Sequence, residues 1–300
     1  MNSKNPFFSV VIPSYNREKI LPKALEGVLQ QTFSDFEIII IDNGSTDGTA
    51  KVIRGYDDSR IRYVFQKGSG SPANPRNQGM KQARALWIAL LDSDDGWELN
   101  KLQRIHEVIQ KYPEVDVFCH YELMKNQSNG KNTVLTHGQG RDMDDMYRSM
   151  LLDGNCLSPS ATVLRRSFIE QKQLYFNESP DFAIVEDYDL WLRIANAGAK
   201  FHFIPEALGE YTVNGENMIG DWPRYIKNLR HLMRYHTFEV QSFEKNTPKL
   251  WHHFEAQLAW MDAYHALQDK TYSAFISNAM KSAIYDPRWF MERLKRKLVS

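Results

Sequence analysis

Two cysteines, Cys119 and Cys156, are all that 300 residues contain. They form neither a zinc-type spacing nor a disulfide framework, which fits a reducing compartment. Long hydrophobic runs are missing too. A membrane-spanning helix needs about 18–20 consecutive apolar residues, and no stretch approaches that. Met1 to Phe8 hold Asn, Ser, Lys and Pro where a secretion signal would carry its apolar core, so no signal peptide is expected. Net charge is absent: 37 Lys and Arg balance 37 Asp and Glu, which removes any global attraction to nucleic acid. The nine histidines show no His-Glu-x-x-His or comparable spacing, and Gly68 and Gly70 do not form a phosphate-binding P-loop. The chain is expected in the cytoplasm, with no nucleic-acid partner.

What remains is an ordinary globular composition, 42% hydrophobic and 25% charged. The length suits one large domain with an appendage, or two domains. Phe8–Ile12 and Glu37–Ile41 read as buried strands, with Leu21, Leu25, Val28 and Leu29 at helical spacing between them. Such a strand–helix–strand unit implies a parallel sheet. Ser45 is placed to cap the next helix. Strands are expected at Ile61–Phe65, Trp87–Leu91 and Val115–Cys119, and helices over Arg76–Arg84 and along Leu99, Leu102, Ile105 and Ile109. Lys125–Gly140 reads as a hairpin or mobile loop. A helix over Glu186–Ala197 closes at Gly198. From about Gly220 only helices are expected, one opened by Thr247 and Pro248 and one carrying Tyr272, Phe275, Ile276, Ala279, Met280, Ala283 and Ile284 on a stripe. The fold class is α/β: a doubly wound, mostly parallel, Rossmann-like domain over 1–218, and a C-terminal helical appendage over 219–300.

In an open parallel sheet, ligands bind beyond the carboxyl ends of the strands. Three strand ends are polar here: Pro13-Ser14-Tyr15-Asn16-Arg17, Asp42-Asn43-Gly44-Ser45-Thr46-Asp47-Gly48 and Asp92-Ser93-Asp94-Asp95. Three carboxylates within four residues repel one another unless a cation sits among them, and hard oxygen ligands suit Mg²⁺ or Mn²⁺. An acidic turn capping the following helix is the plainer alternative. Its position after a buried strand, beside two other polar strand ends, favours the nucleotide and metal reading.

The chain resembles the family-2 glycosyltransferases of GT-A fold. The resemblance is carried by Ser9-Val-Val-Ile-Pro-Ser-Tyr-Asn16, Val28-Leu-Gln-Gln-Thr-Phe33, Asp42-Asn-Gly-Ser-Thr-Asp-Gly-Thr49, Arg76-Asn77, Leu91-Asp-Ser-Asp-Asp-Gly-Trp97 with Lys101-Leu102, and Glu186-Asp-Tyr-Asp-Leu-Trp-Leu-Arg193. These segments occur in the family's order over about residues 7–218. It implies that Pro13, Tyr15, Asn16, Asp42 and Asn43 hold the base and ribose of a nucleotide-diphospho-sugar. Arg76 then lies near the nucleotide, Asp92 faces its ribose or the metal, and Asp94 with Asp95 reaches a Mn²⁺ or Mg²⁺ ion. Asp187 becomes the general base, Glu186 being the other acid able to take that role. The reaction implied is inverting transfer of one sugar to an acceptor hydroxyl, on a surface polysaccharide or a lipid-linked glycan.

Two positions depart from the family pattern. Asn43 stands where many relatives carry Asp, leaving the base open between UDP, dTDP and GDP. Asn214 stands where relatives often place a metal-binding His, and Asn is the weaker, neutral ligand. Two rival functions fit parts of the pattern. A sugar nucleotidyltransferase would show a Gly-rich basic loop after the first strand, which Pro13–Arg17 is not. An inactive nucleotide-sugar-binding scaffold would have no need of Asp92, Asp94 and Asp187 together. Finally, residues 287–300 combine Arg288, Arg293, Lys295, Arg296 and Lys297 with Trp289, Phe290, Leu294 and Leu298. That pattern suits either a peripheral membrane contact or a helix docked on its predecessors.

Overall fold

The structure, a computed structural model, describes residues 5–126, 130, 132–213 and 221–299, with side chains as far as residue 295. It divides into two compact units, Met1–Gly220 and Asp221–Ser300.

The first unit is one sheet with helices on it. In chain order it runs β1 (Phe8–Ser14), α1 (Leu21–Leu29), β2 (Phe36–Asp42), α2 (Thr49–Arg54), β3 (Ile61–Phe65), α3 (Ala73–Gln82), β4 (Trp87–Leu90), β5 (Gly96–Trp97) and α4 (Lys101–Lys111). It continues with β6 (Val117–Asn126), β7 (Asn132–Leu135), α5 (Met146–Asp153), β8 (Thr162–Arg165), α6 (Arg166–Lys172), α7 (Glu186–Asn196) and β9 (Phe201–Val213). The strand order is β3-β2-β1-β4-β8-β6-β9-β5, with β7 pairing β6. The block β3-β2-β1-β4 is parallel, so these strands end on the same edge. β8 runs antiparallel to β4 and β6, and β9 is parallel to β6.

Strands covered on both faces read as continuous apolar runs. Every residue of β2 is buried, and all but one of β1. Glu37 is the polar exception in β2, and it is satisfied: Ser9 donates to one oxygen at 2.7 Å, and Arg62 and Arg84 pair with the other. Burial raises its pKa, but Arg84, Ser9 and Arg62 more than offset that and hold it below the usual carboxylate range. α1 packs Leu21, Ala24, Leu25 and Val28 against this layer, and α4 adds Leu102, Ile105 and Ile109.

Several local expectations shift. Ser45 caps no helix: α2 starts at Thr49 behind Gly48, and the Ser45 hydroxyl accepts the Asn16 amide instead. Leu99 is exposed and precedes α4. The strand expected at Val115–Cys119 extends to Asn126, because β9 pairs along its whole length. β7 then returns antiparallel, so Lys125–Gly140 contains a hairpin.

The second unit is α8 (Trp222–Tyr235), a π-helical turn at His236–Val240, α9 (Thr247–Gln268), α10 (Tyr272–Tyr285) and α11 (Pro287–Val299). Asn246 caps α9, accepting the Lys249 amide at 3.1 Å. Of α10 only Ser282 is buried; Tyr272, Ile276, Met280 and Ile284 are exposed. Phe290 and Trp289 of α11 meet Trp260 and His253 of α9 edge to face. Among the described residues no helix is long and apolar enough to cross a membrane.

Candidate active site

The polar strand ends gather at the carboxyl edge of β1, β2 and β4, joined by the first turn of α7. Register places Ser14 beside Asp42 at the ends of β1 and β2. The two loops beyond them are laced together. Asn16 sits at φ 53°, and its side-chain oxygen accepts the Thr46 amide at 2.8 Å. Glu18 accepts the Gly48 amide at 2.6 Å.

Asp42 and Asn43 lie inside this lacing. Asp42 is 0% exposed; the Tyr63 hydroxyl donates to one oxygen at 2.7 Å and the Ser45 amide to the other at 2.8 Å. Burial and that hydrogen bond push the Tyr63 hydroxyl up to about 12. The Asn43 side-chain oxygen takes Gln66, the Ser69 amide and the Ser69 hydroxyl, and its NH₂ donates to the Ser71 carbonyl. Both side chains are held in place by these contacts. Tyr15, at 56% exposure, does present an open ring.

Arg76 is the centre of the charge arrangement. The residue is 7% exposed, and its guanidinium gives Nε and Nη2 to one oxygen of Asp92, at 3.2 and 2.7 Å, and Nη1 to Glu186 at 3.1 Å. Burial alone would lower its pKa, but Asp92 and Glu186 raise it beyond the ordinary arginine value. One cation from α3 thus ties the acidic turn after β4 to the start of α7. Among the described residues, the second Glu186 oxygen is buried and has no hydrogen-bond partner.

The three carboxylates of the turn have different fates. Asp95 is 3% exposed and faces inward, accepting the Ser160 hydroxyl at 2.6 Å and the Thr212 amide at 3.0 Å. Burial, then Asp92, pushes its carboxyl well above the ordinary range. The expectation of Asp95 as a cation ligand thus meets a side chain whose two oxygens are already engaged in the fold. Asp94 is more open, with Arg17 Nη2 at 3.9 Å, and its pKa is raised by burial and by Asp92. Asn214 lies outside the described residues. Among the described residues no three His, Cys, Asp or Glu side chains are grouped to hold a metal by themselves.

Asp187 opens α7. One oxygen accepts the Tyr188 amide at 2.7 Å, and Asn155 Nδ2 stands 3.5 Å from the other. Burial, then Glu186, raises its pKa to about 7, against the Tyr188 amide and Arg76, which lower it. Just before it, Ile184 holds φ 73°, a left-handed conformation that costs a β-branched residue roughly 1–3 kcal/mol and recurs at functional sites.

Three residues with no role expected from the sequence contribute here, although Lys101 stands in a family motif. Ser160 organises the acidic turn: its hydroxyl also accepts the Asp92 amide, and its carbonyl takes Trp97 Nε1 and Lys101 Nζ. Lys101 is wholly buried, which drives its pKa well below the lysine value. Tyr211 faces Asp95, Asp92 and Asp94, and burial followed by those charges raises it to about 12. Ser160 is more than 60 residues along the chain from the turn it bonds, so no local pattern marks it. Arg17 had a signal, being the basic residue that ends the first polar loop.

Comparison with known proteins bears on the same region. The family model described as Glycosyl transferase family 2 matches residues 9–171. The chain is 28% identical over 259 residues to TuaG of Bacillus subtilis, named as a teichuronic acid biosynthesis glycosyltransferase, covering 83% of this chain and 99% of TuaG. It is 33% identical over 186 residues to the UDP-Glc:alpha-D-GlcNAc-diphosphoundecaprenol beta-1,3-glucosyltransferase WfgD of Escherichia coli, covering 62% of this chain and 68% of WfgD. It spans as little as 36% of another curated relative. S. aureus TarS residues 1–349, solved with UDP, shares the fold at a TM-score of 0.65 and 18% identity, over 94% of this chain and 92% of TarS.

Proposed function

The chain belongs to glycosyl transferase family 2 and is a glycosyltransferase, and we propose that it moves a sugar from a UDP-sugar onto a hydroxyl of a lipid-linked glycan, with inversion, at the cytoplasmic face of a membrane. The observation that carries the mechanism is the bridge through Arg76, which holds the acidic turn after β4 and the first turn of α7 in one electrostatic unit. Asp187 takes the acceptor proton as the acceptor oxygen bonds to the anomeric carbon. The bond to the diphosphate breaks, and its electron pair leaves with the nucleotide. A carboxyl near 7 is matched to that proton transfer at neutral pH. Glu186, committed to Arg76, acts by holding that cation in place. The uridine assignment and the acceptor class draw support from WfgD, whose name states both.

A panel of UDP-glucose, UDP-N-acetylglucosamine and GDP-mannose, each with Mn²⁺, tests the donor by thermal shift. A ligand at 100 times its Kd stabilises the native state by about 2.7 kcal/mol. Stabilisation by UDP-sugars is expected; a response to GDP-mannose alone overturns the base assignment. Binding of donor with no turnover in the presence of any acceptor is what an inactive scaffold would show.

Asp94 fits a divalent cation. Burial and Asp92 both disfavour its charge, and a cation reverses that penalty. Mn²⁺ or Mg²⁺, held by Asp94 and the donor phosphates, would neutralise charge on the departing diphosphate. Asp94→Ala is expected to weaken UDP binding by about tenfold or more, ~1.4 kcal/mol, and EDTA should do the same to the wild type. Equal calorimetric affinities with and without EDTA would remove the metal from this site.

For the tail, Arg288, Arg293 and Lys295 are exposed while Trp289 and Phe290 face α9. Membrane contact through 287–300 is then chiefly electrostatic. Co-sedimentation with vesicles rich in anionic lipid should fall with rising salt and with deletion of Pro287–Ser300. Identical sedimentation of the truncated chain would assign the segment to packing alone.

A further inference from the structure

The apolar residues of α10 are divided between two sides of the helix. One side meets α9. Ser282 is fully buried there, its hydroxyl donating to the Ala256 carbonyl at 2.8 Å, and Phe275, Ala279 and Ala283 are half-buried. The other side is open: Tyr272, Ile276, Met280 and Ile284 are 61%, 55%, 57% and 77% exposed. Spaced four apart, they form a row about 18 Å long at 1.5 Å per residue. One exposed isoleucine needs no explanation. A row of four large apolar side chains on one face marks an interaction surface.

The charge around the row has one sign. α10 contains no Asp or Glu. The chain as a whole is neutral, yet residues 270–300 hold seven Lys and Arg against Asp286 and Glu292. Asp286 is engaged by His253 Nδ1 at 2.8 Å and by the Trp289 amide at 3.0 Å, and Glu292 pairs with Arg288 at 3.4 Å. Lys270, Lys281, Arg293 and Lys295 are exposed. A second copy of this chain meeting the row across a two-fold axis would bring two such basic segments together, which like-charge repulsion opposes. A nucleic acid would satisfy the cations and leave the isoleucines and the methionine in water. An anionic bilayer satisfies both. Its headgroups meet the cations, its acyl chains take the apolar side chains, and Tyr272 has the amphipathic ring favoured at the boundary between them.

We propose that the open side of α10 is a lipid-insertion face, lying flat on an anionic bilayer with Ile276, Met280 and Ile284 at the boundary of headgroups and acyl chains. The proposal rests on the membrane-face reading given above and adds an apolar component to it. Residues 287–300 supply an attraction that salt screens, whereas α10 supplies burial that salt does not weaken. The row is open while α10 stays packed on α9, so insertion needs no unfolding and carries little ordering cost.

Full-length protein and vesicles of equal parts phosphatidylglycerol and phosphatidylcholine test this. The double variant Ile276→Ser, Ile284→Ser should lower vesicle partitioning at least tenfold, in low and high salt alike. Its melting temperature should stay at the wild-type value, because both side chains are exposed. Both native cysteines are buried, so a Met280→Cys variant takes an environment-sensitive fluorophore at that position. Its emission should shift to the blue on vesicles and be quenched by a nitroxide carried on the acyl chains. A double variant that binds as the wild type does, or a label at 280 that stays in water, overturns the proposal. So does a dimer, seen by light scattering without lipid, that the double variant loses, since the row would then belong to a second copy. Deleting Pro287–Ser300 separates the two readings. It should weaken binding in low salt and leave the label shielded in the fraction that binds; unchanged binding after the deletion would fault the electrostatic tail alone.

Discussion

Asp187→Asn is expected to keep UDP affinity and to lose transfer by roughly 10²–10⁴, the contribution of a positioned general base. The pH profile sharpens the test. With its pKa raised to about 7, Asp187 is protonated and idle in acid, so wild-type transfer should fall about tenfold per unit below pH 7 and level off above it. The Asn variant should lack that limb. Stability supplies an independent sign. A carboxyl held above its unfolded pKa of about 3.9 stabilises the fold fully only below that value, and the contribution is lost as pH rises through about 7. At pH 8 the ionised group is a burden, and Asp187→Asn should melt no lower than wild type, with the advantage shrinking toward pH 5. If Asp187 served only to cap α7, the same change would cost on the order of 1 kcal/mol and leave transfer largely intact. Near wild-type transfer by Asp187→Asn, with loss in Glu186→Gln, would move the base one residue.

Arg76→Met should lower stability by about 3–5 kcal/mol, because it leaves Asp92 and Glu186 facing each other with no cation between them. Among the described residues one buried oxygen of Glu186 already lacks a partner, so little else there can absorb the charge. Arg76→Lys should recover only part of the loss. The guanidinium reaches both carboxylates through three nitrogens, and a single ammonium cannot reproduce that fork. Adding Glu186→Gln to Arg76→Met should restore a measurable fraction, since it removes one of the stranded charges. Urea unfolding reads all three variants. A loss below about 1 kcal/mol in Arg76→Met would mean that the bridge is a surface-like pair, and the electrostatic unit linking β4 to α7 would have to be abandoned.

The sequence by itself determined the parallel half of the sheet and the edge at which chemistry gathers. β1, β2 and β4 are short apolar runs ending in polar residues, and that signal is local, strong and carried by consecutive positions. Asp92, Asp94 and Asp187 were legible for the same reason: each lies within a few residues of a strand end or a helix start. The longer reach of β6 was not, because its second half exists through pairing with β9, some 80 residues away.

Only the tertiary structure decided what the polar residues are free to do. Asp94 and Asp95 are neighbours of one type, yet Ser160 and the Thr212 amide turn one inward while the other stays at the open edge. Asp42 and Asn43 read as ligands of a nucleotide, and contacts from Tyr63, Gln66 and Ser69 decide where those side chains sit. Asp187 and Glu186 are adjacent, and Arg76 claims one of them. A side chain's availability depends on which donors reach it. Those donors arrive from distant parts of the chain: two adjacent acids open α7, and the guanidinium that occupies Glu186 comes from Arg76, 110 residues away.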